Sequence, residues 1–271
     1  MENIFRSIAA WQAAGKKTAL AVVIETWGSA PRRAGSLMAI ADDGRFEGSV
    51  SGGCVEGTVI AEAEALLKNG ERSKRLSFTV SSEQAWGVGL ACGGQIEIQL
   101  AALPAKLEEQ INLLLDAIAL RKAGNLMIDL SSGHLNFRED TPQESLACDT
   151  ASLLLPVRPK KWLIIIGAVH IAQHLAPMAE STGYDVSVLD PRAAFTESRQ
   201  FGEAELIEDW PDEYLASAKI DDRTAIVTLT HDPKIDDAAL TLALTSAAFY
   251  IGCLGSKKTH AARIGRLQKA G

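Results

Sequence analysis

No Cys-x-x-Cys pair occurs in this chain, and its four cysteines, Cys54, Cys92, Cys148 and Cys253, are widely scattered. Neither a disulfide framework nor a structural zinc site is therefore written into the sequence. Also missing is any apolar run near the ~20 residues that a membrane-spanning helix needs. Met1-Glu2-Asn3-Ile4-Phe5-Arg6 has neither the basic start nor the apolar core of a secretory signal, so a cytoplasmic protein is expected. Basic residues are in deficit. With 27 Lys and Arg against 34 Asp and Glu the formal charge is −7, which argues against non-specific affinity for nucleic acid or anionic membranes. What remains is ordinary globular material, 47% hydrophobic and 23% charged over 271 residues, enough for one large domain or two of common size.

Two different patterns follow one another. In the first half, a short amphipathic helix over 3–14 leads into the apolar run Thr18–Glu25, fit for a buried strand. Leu37–Ala41 and Phe46–Val50 flank Asp42-Asp43-Gly44-Arg45, a hairpin signal. Val55, Val59, Ile60, Ala63, Leu66 and Leu67 recur at helical spacing, with a basic last turn and a stop at Lys68-Asn69-Gly70. Strands are expected at Arg75–Val80 and Gln95–Leu100, a helix over 105–122, and a hairpin from Asn125–Leu130 and His134–Phe137. Arg138–Thr150 is weakly patterned and is expected to be irregular, before a strand at Leu153–Leu155. Pro156-Val157-Arg158-Pro159-Lys160-Lys161 has linker composition, which divides the chain into domains at 1–157 and 158–271.

From Trp162 onward strands and helices alternate, the pattern of a parallel sheet. Strands are expected at Trp162–Ile166, Asp185–Leu189, weakly near Leu206-Ile207, at Ala225–Leu229 and at Phe249–Ile251. Helices fall between them, including one over roughly 236–246, and a last one starts near Ser256. The fold class is α/β: a mixed N-terminal domain, then a Rossmann-like, doubly wound parallel-sheet domain.

Chemistry concentrates in the turns. Ser49-Val50-Ser51-Gly52-Gly53-Cys54-Val55-Glu56-Gly57 ends a strand and feeds a helix. Cys54 therefore sits near a helix N-terminus, where unpaired amides and the dipole favour negative charge, a thiolate included. Gly52 and Gly53 allow a ligand close to the backbone. The turn is a candidate anion or soft-metal site. Trp86-Gly87-Val88-Gly89-Leu90-Ala91-Cys92-Gly93-Gly94 is a second glycine-rich loop with a central thiol. Arg32 and Arg33, in the loop Thr26–Gly35, suit an anion.

In the second half, the dinucleotide fingerprint G-x-G-x-x-G reads Gly167, Val169, Ala172. Valine at its second position obstructs close approach of pyrophosphate, while Asp190 stands where a ribose-binding acid belongs. His170, Asp190-Pro191-Arg192, Thr230-His231-Asp232 and Gly255-Ser256-Lys257 are expected at the carboxyl ends of strands, where ligands of this fold bind. They suit a phosphate-bearing ligand or a metal. Asp232 before Pro233 and Ser256 before Lys257 are equally good helix caps.

In both halves the chain resembles the xanthine dehydrogenase accessory proteins of XdhC/CoxF type. The matching text is Gly28-Ser29-Ala30-Pro31-Arg32, Gly48–Glu56 and Gly89–Gly94, then His170-Ile171-Ala172, Asp190-Pro191-Arg192, Leu229–Pro233 and Ile251–Ser256. The resemblance implies an XdhC/CoxI-type domain followed by a Rossmann-like domain. It further implies a chaperone, not a catalyst, that binds molybdenum cofactor (molybdopterin), supports its sulfuration with a cysteine desulfurase, and delivers it to an apo molybdenum hydroxylase. A homodimer is common in such proteins. On this reading Cys54 is the first choice for contact with the metal or its exchangeable sulfur, and Cys92 the second. Gly52, Gly53, Arg32, Arg33, His170, Asp190, Arg192, His231 and Asp232 complete the candidate cofactor-binding set. Two rival readings are an NAD(P)-dependent oxidoreductase working through Asp190, and a redox protein built on Cys54 and Cys92.

Overall fold

A computed structural model describes residues 1–28, 32–80, 94–196 and 199–270. The chain divides into two compact units, Met1–Pro159 and Lys160–Gly271. In the first, helix α1 (Glu2–Ala13) precedes strands β1 (Thr18–Gly28), β2 (Leu37–Ala41) and β3 (Phe46–Gly48). Helix α2 (Glu56–Asn69), β4 (Ser73–Val80), β5 (Gly94–Leu103) and α3 (Glu108–Ala119) follow. The unit closes with β6 (Gly124–Asp129), β7 (Leu135–Glu139), β8 (Ala147–Cys148) and β9 (Ser152–Val157).

Strands β3-β2-β1-β5-β4, in that order, form an antiparallel sheet. Its central strand β1 is buried on both faces, as its unbroken apolar run requires. Leu20 and Val22 pack with Ile4, Phe5 and Ile8 of α1 and with Ile111 and Leu114 of α3. Ala19, Ala21 and Val23 point the other way, onto Val59, Ala63 and Leu66 of α2. The smaller sheet β7-β6-β9-β8 adds Leu126, Ile128, Leu153 and Leu155 to the first of these cores.

Among the boundaries that differ from those read in the sequence, three bear on the topology. β1 runs on through Thr26-Trp27-Gly28, because β5 continues beside it as far as Gly94. β8 forms inside the stretch expected to be irregular, and β9 extends through Pro156. That proline is tolerated because β8 pairs only with Leu153 and Leu154, so at Pro156 one side of β9 has no neighbour needing its missing N–H.

The second unit alternates β10 (Trp162–Ile166), α4 (Ala172–Ser181), β11 (Asp185–Leu189), α5 (Ala193–Thr196) and β12 (Glu205–Ile207). It continues with α6 (Pro211–Ser217), β13 (Thr224–Thr228), α7 (Pro233–Ala243), β14 (Tyr250–Cys253) and α8 (Lys257–Ala270). All its strand pairs are parallel, in the order β12-β11-β10-β13-β14. Ile164 and Ile226 pack on one face with Leu215 of α6 and Ile235 and Ala239 of α7. Leu163, Ile165 and Val188 pack on the other with Ala172 and Ala176 of α4. Helices on both faces of a parallel sheet make this the doubly wound plan expected, and the strand order reverses at β10. Among the described residues, no helix is long and apolar enough to cross a membrane.

Candidate functional site

Strand directions bring the loops of interest in the first unit to one end of the sheet. Gly28 and Val80 both stand opposite Gly94, and Gly48 stands opposite Met38 near the start of β2. β1 and β5 continue six residues past the last β1–β2 pair, Val22↔Leu37. They end about 20 Å beyond it at ~3.3 Å per residue. The turn bearing Cys54 leaves from the nearer level. Cys92, its expected partner, lies outside the described residues, as do Ser29, Ala30 and Pro31.

The Cys54 turn is organised by an acid that the sequence did not single out. Glu56, the first residue of α2, is only 8% exposed, and its carboxylate folds back into the loop. Oε1 accepts the N–H groups of Val50 at 3.2 Å, Ser51 at 2.8 Å and Gly52 at 3.0 Å, and the Ser49 hydroxyl at 2.8 Å. Oε2 accepts the N–H of Gly53 at 2.9 Å and the Ser51 hydroxyl. Ser51 Oγ in turn accepts from the amides of Cys54 at 2.9 Å and Val55 at 3.0 Å. Burial opposes ionisation of Glu56, but the hydrogen bonds from Ser51, Ser49 and the backbone outweigh it and hold its pKa at about 2.

This arrangement corrects one expectation. The amides of Gly52 and Gly53, read as open to an anion, are occupied by the chain's own carboxylate. Both glycines have positive φ, 84° and 120°, and Gly53 has open space where a Cβ would stand. Glycine is needed here for backbone conformation. What the turn presents outward is the exposed thiol of Cys54. Arg32 and Arg33 are exposed and form no ion pair among the described residues. No hydrogen bond joins either to Cys54.

In the second unit the residues expected at strand ends are there, but most are engaged. Asp190, 0% exposed, follows β11. Its Oδ2 accepts from the Ala168 amide at 2.9 Å and Arg192 Nη2 at 2.8 Å, and its Oδ1 from Arg192 Nε at 2.8 Å and Arg192 N at 3.0 Å. Burial raises its pKa, but Arg192 and the Ala168 amide more than offset that and leave it lowered. With both oxygens bonded twice, it is not free to bind a ribose, and Arg192 is held in the same pair. Asp232 is the N-cap of α7 and accepts from Lys234 N at 2.9 Å.

His170 is exposed, with Nδ1 3.3 Å from Gln173 Nε2 and its ring edge-on to His174. His231 is exposed at φ 65°, and its amide donates to Asp236 Oδ2 at 3.0 Å. Among the described residues, no group of three or more His, Cys, Asp and Glu is placed to hold a metal ion.

Comparison with known proteins gives this architecture its relatives. Residues 11–79 match the XdhC and CoxI family and residues 163–271 the XdhC Rossmann domain. The molybdenum cofactor insertion chaperone PaoD of Escherichia coli is 30% identical, over 95% of this chain and 73% of its own length. A Bacillus subtilis protein named as one probable subunit of xanthine dehydrogenase is 29% identical, over 89% of this chain and 80% of its own. A solved structure titled a xanthine dehydrogenase from Bacillus halodurans shares the fold. Its TM-score is 0.78 at 23% identity, over 96% of this chain and 84% of that one. The chain belongs to the XdhC and CoxI family, with an XdhC Rossmann domain as its second unit.

Proposed function

We propose that this protein binds molybdenum cofactor as cargo and delivers it to a molybdenum hydroxylase of the xanthine dehydrogenase type. The relationship to PaoD, named a molybdenum cofactor insertion chaperone, supports the class of activity. The observation that carries the residue assignment is the exposed Cys54 thiol on a turn fixed by six hydrogen bonds to one carboxylate. Molybdenum and its dithiolene sulfurs are soft, and a thiolate is a matching neighbour. A thiol outside the core, on backbone that does not have to reorganise, can meet a bulky cofactor and release it again.

Sulfuration supported by a cysteine desulfurase, a homodimeric state and a cytoplasmic location complete the proposal. The family resemblance supports the first two. The cofactor's phosphate needs its own donors, since the amides around Gly52 and Gly53 are taken. Exposed Arg32 and Arg33 are the first unit's candidates for that role.

The test is cofactor retention. Wild-type protein and Cys54→Ala, purified from cells that make molybdenum cofactor, are compared for bound molybdenum and pterin. The proposal expects retained cofactor in the wild type and a marked loss in the variant. Equal retention would remove Cys54 from the site, and a wild type empty of both would count against the cargo itself.

A further inference from the structure

The turn after β14 opens onto a helix whose charged residues are all basic. α8 contains Lys257, Lys258, Arg263, Arg266 and Lys269 and no acidic residue, in a chain whose overall charge is −7. Arg266 is paired with Asp237. Arg263 is different: it is 2% exposed. Its Nη2 donates to Leu254 O and to Asp236 Oδ2, each at 3.2 Å. Its Nε and Nη1 are buried with no acceptor among the described residues.

Those idle donors lie under one particular turn. Helical side chains lean toward the helix N-terminus, which brings the Arg263 guanidinium back to Gly255-Ser256. A Cβ added at Gly255 would stand 3.9 Å from Nη1 and only 3.3 Å from Thr259. Thr228 Oγ1, at the carboxyl end of β13, is a second buried polar atom without a partner among the described residues. The Leu254 amide bonds to Thr228 O at 2.9 Å, so the two orphans belong to one neighbourhood. Ser256 Oγ accepts from Thr259 N at 3.2 Å, while the first-turn amides of Lys257 and Lys258 have no acceptor among the described residues. Asp236 balances the charge of Arg263 in a buried ion pair, but its oxygens are shared with Thr230 Oγ1 at 2.6 Å and the His231 amide at 3.0 Å, and the Nε and Nη1 donors of the arginine stay unused among the described residues.

A buried cation with spare donors, the positive end of a fourteen-residue helix and two exposed lysines make a place for a compact polyanion. We propose that the Gly255–Lys258 turn, backed by Arg263, is a phosphate-binding site that takes the phosphate or diphosphate group of a small ligand. It stands apart from the turn after β10, where the Ala168 amide is already spent on Asp190 and Val169 replaces a glycine. The site is independent of the Cys54 assignment. A phosphorylated pterin and a nucleoside diphosphate offer the same chemistry.

Calorimetric titration of the full chain with inorganic phosphate, pyrophosphate and ADP at constant ionic strength, with chloride as the blank, tests the proposal. Saturable binding is expected for the wild type. Lys257→Gln/Lys258→Gln, a surface change that leaves folding intact, should weaken it about tenfold at ~0.7 kcal/mol per exposed charge. Arg263→Lys should weaken it as well, and the lysine pair decides the matter whether or not that buried variant folds. ADP binding more tightly than pyrophosphate identifies a nucleotide as the source; the reverse identifies a phosphate ester without a nucleoside. A wild type that binds none of the three, or a lysine variant that binds as tightly as the wild type, overturns the site. Neither result bears on whether molybdenum cofactor is retained through Cys54.

Discussion

Replacing Glu56 by glutamine isolates the contribution of one carboxylate to the Cys54 turn. The amide keeps the shape and one acceptor oxygen but places an NH2 where the other oxygen stood. If the remaining oxygen faces Val50, Ser51 and Gly52, the NH2 faces the Gly53 N–H, and one buried donor is left opposing another. Hydrogen bonds to a charged acceptor contribute about 1.5–3 kcal/mol net each, but those sharing one carboxylate are far from additive. The expected loss is therefore about 2–3 kcal/mol, not a multiple of it. In a unit of this size that lowers the melting temperature by roughly 4–10 °C. Hydrogen exchange at the amides of residues 50–53 should quicken by about 30-fold or more, the equivalent of 2 kcal/mol of local opening. The pH dependence supplies an internal control. Glu56 has its pKa lowered from 4.5 to about 2, so its contribution is complete above pH 4.5 and fades as pH falls toward 2. The gap between wild type and variant should narrow over that window. A variant within about 0.5 kcal/mol of wild type at pH 7, with unchanged exchange at 50–53, would refute the claim that Glu56 holds the turn.

Other perturbations reach the second unit and the thiol. Asp190→Ala strands the Ala168 amide and the Arg192 guanidinium and should cost about 3 kcal/mol in denaturant unfolding; a neutral effect would contradict the buried pair. NAD titrated into wild type should give no signal that depends on Asp190, because the Asp190 oxygens are committed, and a saturable signal lost in Asp190→Ala would restore the oxidoreductase reading. Gly167→Ala places a Cβ 2.6 Å from Thr230 Cγ2 at φ 112°, so a loss of about 2 kcal/mol or more is expected from thermal melts. Asp232→Ala removes the α7 cap and should cost about 1 kcal/mol. Cys54→Ser, by contrast, should leave stability within about 0.5 kcal/mol, since the side chain is exposed.

The sequence announced elements through period and composition far better than it announced their chemistry. The buried strand Thr18–Glu25, the helix through Val59, Ala63 and Leu66, and the parallel sheet from Trp162 onward were legible because burial on one or both faces imposes a pattern. The extension of β1 to Gly28 was not, because it depends on a partner strand some seventy residues away. Pro156 in a strand was not, because its tolerance rests on how short β8 is. At the site, the Gly-Gly-Cys turn could be seen, but its amides looked open. Periodicity alone makes Glu56 one more polar residue of the helix; the signal that singles it out is an acid three residues after a glycine pair at a helix start. Asp190 likewise read as a ligand group. Only its distance to Ala168 N and Arg192 reveals that it is already satisfied.

The two units share a structural device and differ in what it leaves over. Each turns from a strand into a helix through a loop whose amides are gathered by an acid from the helix's own first turns, Glu56 in one and Asp236 in the other. An acid so placed satisfies orphan donors and complements the helix dipole, so the loop gains rigidity without a ligand. It also removes those amides from use in binding, which is why a glycine-rich turn at a helix start cannot be equated with an anion site. Around Glu56 the donors are neutral, the acid satisfies them, and what protrudes is an exposed soft thiol. Around Asp236 one donor is Arg263, which brings more N–H groups than the acid and a single carbonyl can absorb. The surplus falls at the next helix N-terminus, beside two exposed lysines. The same economy of internal bonding thus yields a thiol-presenting turn in the first unit and an anion-seeking one in the second, and the difference traces to the partner each acid was given.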